Sequence, residues 1–328
     1  MLFHKEDLAP GIGRFVFSDI WNKIALKITE TIDEFYDKPV AKGFYPHFNE
    51  ITFRQAVLSV SAELKALQEN LKQLLSDRYC AIFLDRTHLC SFSEIDRNKL
   101  LYALSLALGY PTPTDPRIGK LLWDVKPRYL PVGHFATYSE HSDRADLHTD
   151  TQYYLRPEKY FLLYVVRAAR CGGGKSLICN SREVKNRLLE TEQGREAYET
   201  LSSFKFPFRI PTTFTQAGTI GSVKTTLAPI FSDEPFIRFR YDTLEKGFQS
   251  RRDLDVPEAR NALKVLLDVL ENKANVVEYY MSDDALAICN NHVALHGRTS
   301  FQDRDRHLIR VRMSSQPVVS KPALLASA

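Results

Sequence analysis

The chain has 328 residues, 44% apolar and 11% aromatic, enough to bury one large core or two modest ones. Its formal charge of +4, from 44 basic and 40 acidic side chains, is too small and too dispersed for a nucleic-acid footprint, and no Lys/Arg block supplies one. The five cysteines (Cys80, Cys90, Cys171, Cys179, Cys289) form no C-x-x-C pair, and neither a signal-peptide core nor an apolar run of membrane-spanning length occurs, so the expectation is a cytoplasmic protein without membrane or nucleic-acid partners.

Residues 1–115 read as mainly helical by periodicity. Thr52 and Gln55 are spaced as a capping box, and Val57, Val60, Leu64, Leu67, Leu71 and Leu74 then recur on one helical face. The run 80–84 is a short buried strand. Ser91 and Glu94 suit the start of a second helix, Leu101, Leu104 and Leu108 its buried face, and Gly109 and Pro111 its stop. Beyond residue 115 the texture turns to strands, at 159–169, 204–210, 236–241, 276–280, 285–289 and 307–313. Two helices interrupt them, at 181–201 and 257–272, the second with Asp255 and Glu258 as a capping box. The Thr-, Ser- and Gly-rich stretch 212–232 reads equally as a mobile lid or an ordinary surface loop. Strands so far apart in sequence suggest a Greek-key sandwich or barrel with helices outside. No Gly/Ser/Pro-rich linker divides the chain. The expectation is therefore one catalytic domain, 1–328, with a helical part (1–115) and a β-rich core (116–328) carrying an insertion around 195–275.

The chemistry concentrates in Asp146-Leu147-His148-Thr149-Asp150. In a strand, residues two apart share a face, so His148 and Asp150 would present an imidazole and a carboxylate side by side. A third ligand must come from elsewhere, and the stretch 290–298 offers His292 and His296. Two histidines and one carboxylate bind one face of an octahedral metal and leave the other open, the arrangement of non-haem Fe(II) oxygenases. Alone, H-x-D is a weak signal that a surface turn also explains. A zinc hydrolase is a second reading, but the H-E-x-x-H helix is missing. Near the C-terminus Arg306, Arg310 and Arg312 are all even-numbered and would share one face of a strand, although Ile309, Val311 and Met313 leave the alternation imperfect. A solvated edge strand also carries such charges.

Four blocks together resemble the taurine-dioxygenase/clavaminate-synthase-like family of Fe(II)/2-oxoglutarate oxygenases. They are Leu147-His148-Thr149-Asp150, Gly172-Gly173-Gly174-Lys175-Ser176, Asn291-His292-Val293-Ala294-Leu295-His296-Gly297-Arg298 and Arg306-His307-Leu308-Ile309-Arg310. Residues 1–75 carry little of the likeness, and 207–273 align loosely. The resemblance implies an α+β fold, a double-stranded β-helix (jelly-roll) core with flanking helices. It implies Fe(II) held by His148, Asp150 and His296, with 2-oxoglutarate and O2 as co-substrates. His292 then reads as structural. The same resemblance assigns Arg306 and the Ser176 hydroxyl to the distal carboxylate of 2-oxoglutarate, and Arg310 to an anionic group of the primary substrate. A planar guanidinium suits such carboxylates because it pairs both oxygens and keeps its charge. The Gly run also makes a tight turn, and it is not a P-loop.

The implied reaction is hydroxylation of an unactivated C–H of a free amino acid or similar small anion, with release of succinate and CO2. Desaturation, cyclisation or epoxidation in natural-product biosynthesis are the alternatives, and the Asp150 carboxylate argues against halogenation. Gln152, Tyr153, Asp146 and Arg240 are further substrate-contact candidates, with packing the competing role for each. A metal-binding barrel without turnover would need neither Arg306 nor Ser176. The oligomeric state stays open.

Overall fold

The computed structural model describes residues 2–18, 20–35, 44–45, 50–115, 118–128, 139–211, 224–232 and 236–317. Its centre is two facing sheets. The larger runs β1 (Leu2–Ala9), β2 (Ile12–Phe17), β3 (Ala81–Asp85), β12 (Leu286–Asn290), β7 (Tyr160–Arg167), β14 (His307–Ser314) and β4 (Tyr110–Thr112), with β5 (Trp123–Val125) also paired to β14. The smaller runs β11 (Val277–Tyr279), β8 (Ser176–Asn180), β13 (Ala294–Arg298) and β6 (Ala145–His148). Every pairing is antiparallel except β2 with β3.

Both sheets are covered on their outer faces, which explains the sequence texture. Alternation fades where a strand is buried on two sides. In β14, Ile309, Val311 and Met313 join the core under helices α1 (Trp21–Phe35), α2 (Glu50–Ser59), α3 (Ala62–Gln73) and α4 (Glu94–Leu108). Leu308 instead joins Phe161, Val165 and Cys289 between the sheets. The even-numbered arginines are therefore turned inward. β14 is an interior strand, paired with β7 on one side and with β4 and β5 on the other, so the edge-strand alternative fails. The outer face of the smaller sheet, through Cys179 and Leu295, packs on α5 (Ser181–Leu189), α6 (Glu192–Ser203), α7 (Tyr241–Ser250), α8 (Pro257–Asp268) and the ribbon β9 (Phe206–Arg209)–β10 (Thr225–Ala228). Among the described residues no helix is long and apolar enough to cross a membrane.

Several local expectations are corrected. The first 115 residues also supply four strands, and β1–β2 extend the larger sheet. The outermost strand, β1, carries His4, Lys5, Glu6 and Asp7, charges that suit an exposed edge and mask the strand pattern. The periodic run 52–74 is two helices. Thr52 lies inside α2, while Ser61, in extended backbone, accepts from the Leu64 N–H at 3.0 Å and starts α3. α4 is capped by Ser93, not Ser91. The helix 181–201 breaks at Thr191, whose hydroxyl accepts from Gly194 N–H. Asp255 does not cap α8; both its oxygens take the Arg260 guanidinium (2.6 and 3.2 Å), and Pro257 begins the helix. Segment 236–241 forms one isolated bridge rather than a strand, because its N–H groups bond to His292 O, Ile230 O and Thr149 Oγ1. Of the expected lid, 212–223 lie outside the described residues, and 224–228 belong largely to β10.

Candidate metal centre and co-substrate pocket

β6 and β13 are neighbours in the smaller sheet, and their register sets His148 directly opposite His296. The rings lie 4.3 Å apart, centroid to centroid. Asp150 lies just past the end of β6, and its Oδ1 is 3.9 Å from Nε2 of each histidine. One donor atom from each of the three residues lies within 4.8 Å of the others, and all three side chains are buried. His148 is oriented by its own strand, with Nδ1 2.7 Å from the Asp146 carbonyl. That bond makes Nδ1 the donor and leaves Nε2 as the lone-pair donor for a metal.

The electrostatics suit a divalent cation. Burial drives both imidazoles toward the neutral form, His148 well below its ordinary value and His296 to about 4. Burial alone would raise the Asp150 carboxyl. The Arg310 guanidinium, helped by His296 and Arg312, more than offsets this and holds it well below the usual carboxylate range. At neutral pH the donor set is thus two neutral nitrogens and one carboxylate, a set that fits Fe(II). Arg310 Nη1 lies 3.1 Å from Asp150 Oδ2 and 3.5 Å from Oδ1. The arginine expected at the substrate thus pairs with the carboxylate of the donor set.

On the same inner side of the larger sheet, a small cavity is lined by Arg306, Ser176, Gly174, Met281, Tyr280 and Leu308, among others. Arg306 is 5% exposed, and Phe301 lies under its guanidinium at 4.9 Å. Its Nη2 makes a long bond to Gly174 O (3.4 Å), and Nη1 has no partner. Burial, with Arg298 nearby, pushes its pKa down to about 9. Among the described residues no carboxylate pairs with it. A buried cation without a counter-ion is costly unless an anion arrives to answer it. The Ser176 hydroxyl donates to Met281 Sδ at 3.3 Å, a weak acceptor that a carboxylate would displace. Arg306 and Ser176 therefore fit one carboxylate of a dicarboxylic co-substrate.

The other expected residues divide. Arg240 pairs with Asp242 at 2.7 Å, and its charge is one of the lesser causes that lower the pKa of His148 and His296. Gln152 is fully buried; Nε2 donates to Thr243 Oγ1, and Oε1 has no partner. Tyr153 packs edge-on against Tyr154 in the outer core. The Asp146 carboxylate is exposed and meets Arg144, while its carbonyl bonds the His148 ring. His292 is bonded to the Pro157 carbonyl at 3.1 Å and packs on Phe236, a structural role. Arg312 is held by the Thr114 carbonyl at 2.8 Å, and Glu158 answers its charge. Sequence reasoning assigned no role to Asn291 or Glu158, although Asn291 bonds both backbone polar groups of Asp150 and Glu158 takes the hydroxyl of the next residue, Thr151. Asn291 stands in a block already singled out. Glu158, one carboxylate at the mouth of an apolar run, gave no signal.

The chain matches the family described as "Taurine catabolism dioxygenase TauD, TfdA family" over residues 46–312. No curated protein matches it. Among solved structures it resembles asparagine oxygenase in complex with Fe(II), 2S,3S-3-hydroxyasparagine and succinate (19% identity, 92% of this chain and 93% of that one, TM-score 0.64). It also resembles the non-heme iron oxygenase OrfP in complex with Fe and alpha-ketoglutaric acid (17%, 92% and 94%, TM-score 0.62) and with Fe and L-canavanine (18%, 92% and 94%, TM-score 0.62). At these identities the likeness establishes the jelly-roll fold alone. The family match covers most of the chain, and the chain belongs to the TauD/TfdA family of 2-oxoglutarate-dependent dioxygenases.

Proposed function

We propose that this chain hydroxylates a C–H bond of a free amino acid or a close relative, using Fe(II), 2-oxoglutarate and O2. The observation that carries the reading is the pairing of two sites inside one sandwich: a His148–Asp150–His296 donor set, and a counter-ion-free Arg306 facing a Ser176-lined cavity. A metal site alone would serve many chemistries. A metal site beside a pocket for a dicarboxylate suits one co-substrate class.

His148, Asp150 and His296 would hold the iron. Iron with 2-oxoglutarate and O2 supplies the oxidative decarboxylation that yields succinate and CO2 and puts one oxygen atom into the substrate. The protein's part is placement and charge. Arg306 and Ser176 fix the distal carboxylate, which orients the 2-oxo acid end toward the donor set. Arg310 stands beside Asp150 and can pair with a substrate carboxylate without leaving the site, because its Nε has no partner. Gln152 Oε1, buried and also unpartnered, offers an acceptor for a substrate ammonium. Support for an amino acid also comes from the solved relatives, which hold hydroxyasparagine in one case and hydroxyarginine in another. We further propose that the chain works as one catalytic unit, because one core joins residues of α1–α4 to those of β7, β12 and β14.

A succinate-coupled screen of free amino acids and small carboxylates tests this reading. The expected result is succinate release stimulated by at least one amino acid, with a product 16 mass units heavier, from the single oxygen atom gained. Stimulation only by non-amino-acid anions would overturn the substrate class. A product 2 mass units lighter would replace hydroxylation by desaturation or ring closure.

A further inference from the structure

Asp150 is not held by a strand. β6 ends at His148, and the chain turns away within three residues, at Thr151, whose φ is +51°. β-branched residues rarely enter this left-handed region, so something must keep Thr151 there. Two buried side chains with no part in the proposed chemistry converge on this turn. Asn291 accepts from the Asp150 N–H (2.7 Å) and donates to the Asp150 carbonyl (3.1 Å) and the Glu158 carbonyl (2.9 Å). It thus clamps both backbone polar groups of the ligand residue. Glu158, 5% exposed, accepts from the Thr151 hydroxyl and from the Thr112 hydroxyl (2.9 Å). On the other flank, Thr149 is fixed to residue 239 by its N–H (2.7 Å) and by its hydroxyl, which accepts from Phe239 N–H (3.1 Å).

We infer that Glu158 and Asn291 are positioning residues that lock the left-handed turn at Thr151 and so aim the Asp150 carboxylate at His148 and His296. Asn291 fixes the peptide on each side of Asp150. Glu158 holds the next residue in a conformation it would otherwise leave. Arg312 is buried nearby, and the Glu158 carboxylate favours its charged form. The aim of the metal ligand then rests on backbone held by interior hydrogen bonds, not on a strand.

This inference rests on the metal-site reading above, and its test separates the two. Mn(II) is titrated into the metal-free full chain, with free Mn(II) counted by electron paramagnetic resonance and folding followed by circular dichroism. Thr151→Val removes the hydroxyl but keeps the side chain that resists the left-handed region. Thr151→Gly also loses the hydroxyl, yet glycine adopts that region freely. The lock predicts a loss of affinity of about 10- to 100-fold for Thr151→Val and near wild-type affinity for Thr151→Gly. Should the valine variant not fold, Thr151→Ala takes its place, again binding more weakly than the glycine variant. Equal affinity of the glycine and β-carbon variants, whether high or low, would overturn the lock. If the wild-type chain itself took up no Mn(II), the metal reading would fail instead.

Discussion

Asp150→Ala is expected to abolish metal uptake and succinate formation, and to lower stability by about 3–5 kcal/mol. The first effect follows from removing the one anionic donor of the set. The second follows from Arg310. With Asp150 gone, a guanidinium that is largely buried loses its only ion-pair partner among the described residues. Removing one member of a buried pair leaves the other charge uncompensated, whereas replacing both can be neutral. The double variant Asp150→Ala/Arg310→Met should therefore recover much of the lost stability while metal uptake stays absent. Urea denaturation followed by circular dichroism, beside a Mn(II) titration, reads both quantities. A double variant no more stable than Asp150→Ala would show that Arg310 is not the source of the cost.

Arg306→Met is expected to act in the opposite sense on stability and function. Nothing in the described structure answers the Arg306 charge, and burial already presses its pKa down to about 9. An apolar side chain of similar length removes that cost, so the co-substrate-free protein should melt at a higher temperature. Binding of 2-oxoglutarate should weaken about 10- to 100-fold, the loss of a charge-assisted contact worth about 1.5–3 kcal/mol. Gly174→Ala reaches the same contact from behind. A β-carbon there would lie 2.9 Å from Arg306 Nε and 3.2 Å from Cδ, at a φ of +71° that favours glycine. It should weaken 2-oxoglutarate and leave Mn(II) uptake unchanged. Calorimetric titration checks both variants, with Arg310→Ala beside them. If Arg306→Met left 2-oxoglutarate affinity intact while Arg310→Ala destroyed it, the two arginines would exchange roles.

The site was legible where function dictates residue type and spacing. The H-x-D pair, the distal histidine and the two arginines four apart stand out because a metal and a dicarboxylate each demand particular groups. Strand alternation accounts for only half of the His148–Asp150 pair. It carries His148, but the strand has ended by Asp150, and the turn at Thr151 does the rest. That turn depends on Glu158, seven residues past Thr151 with no motif to mark it, and on Asn291, which is far from Asp150 in sequence and meets it only in the folded chain. The apolar odd residues of β14 blurred a pattern that is in fact two-sided: Ile309 and Val311 face the helices, and Arg310 faces the metal donors. The N-terminal hairpin is not legible in the sequence because its outer strand is charged at the positions where alternation would show. Helix existence was easier than helix ends. Ser61, Ser93 and Thr191 each cap a helix through a single side-chain bond, and serine and threonine are common at many other places.

The most direct test of the central claim is the visible spectrum of the anaerobic Fe(II) protein titrated with 2-oxoglutarate. Chelation of a 2-oxo acid to iron held by His148, Asp150 and His296 predicts a weak charge-transfer band that saturates with the co-substrate. The band should be lost in Asp150→Ala, and in Arg306→Met it should need far more 2-oxoglutarate. A wild-type protein that binds Fe(II) yet develops no band at saturating 2-oxoglutarate would contradict the account.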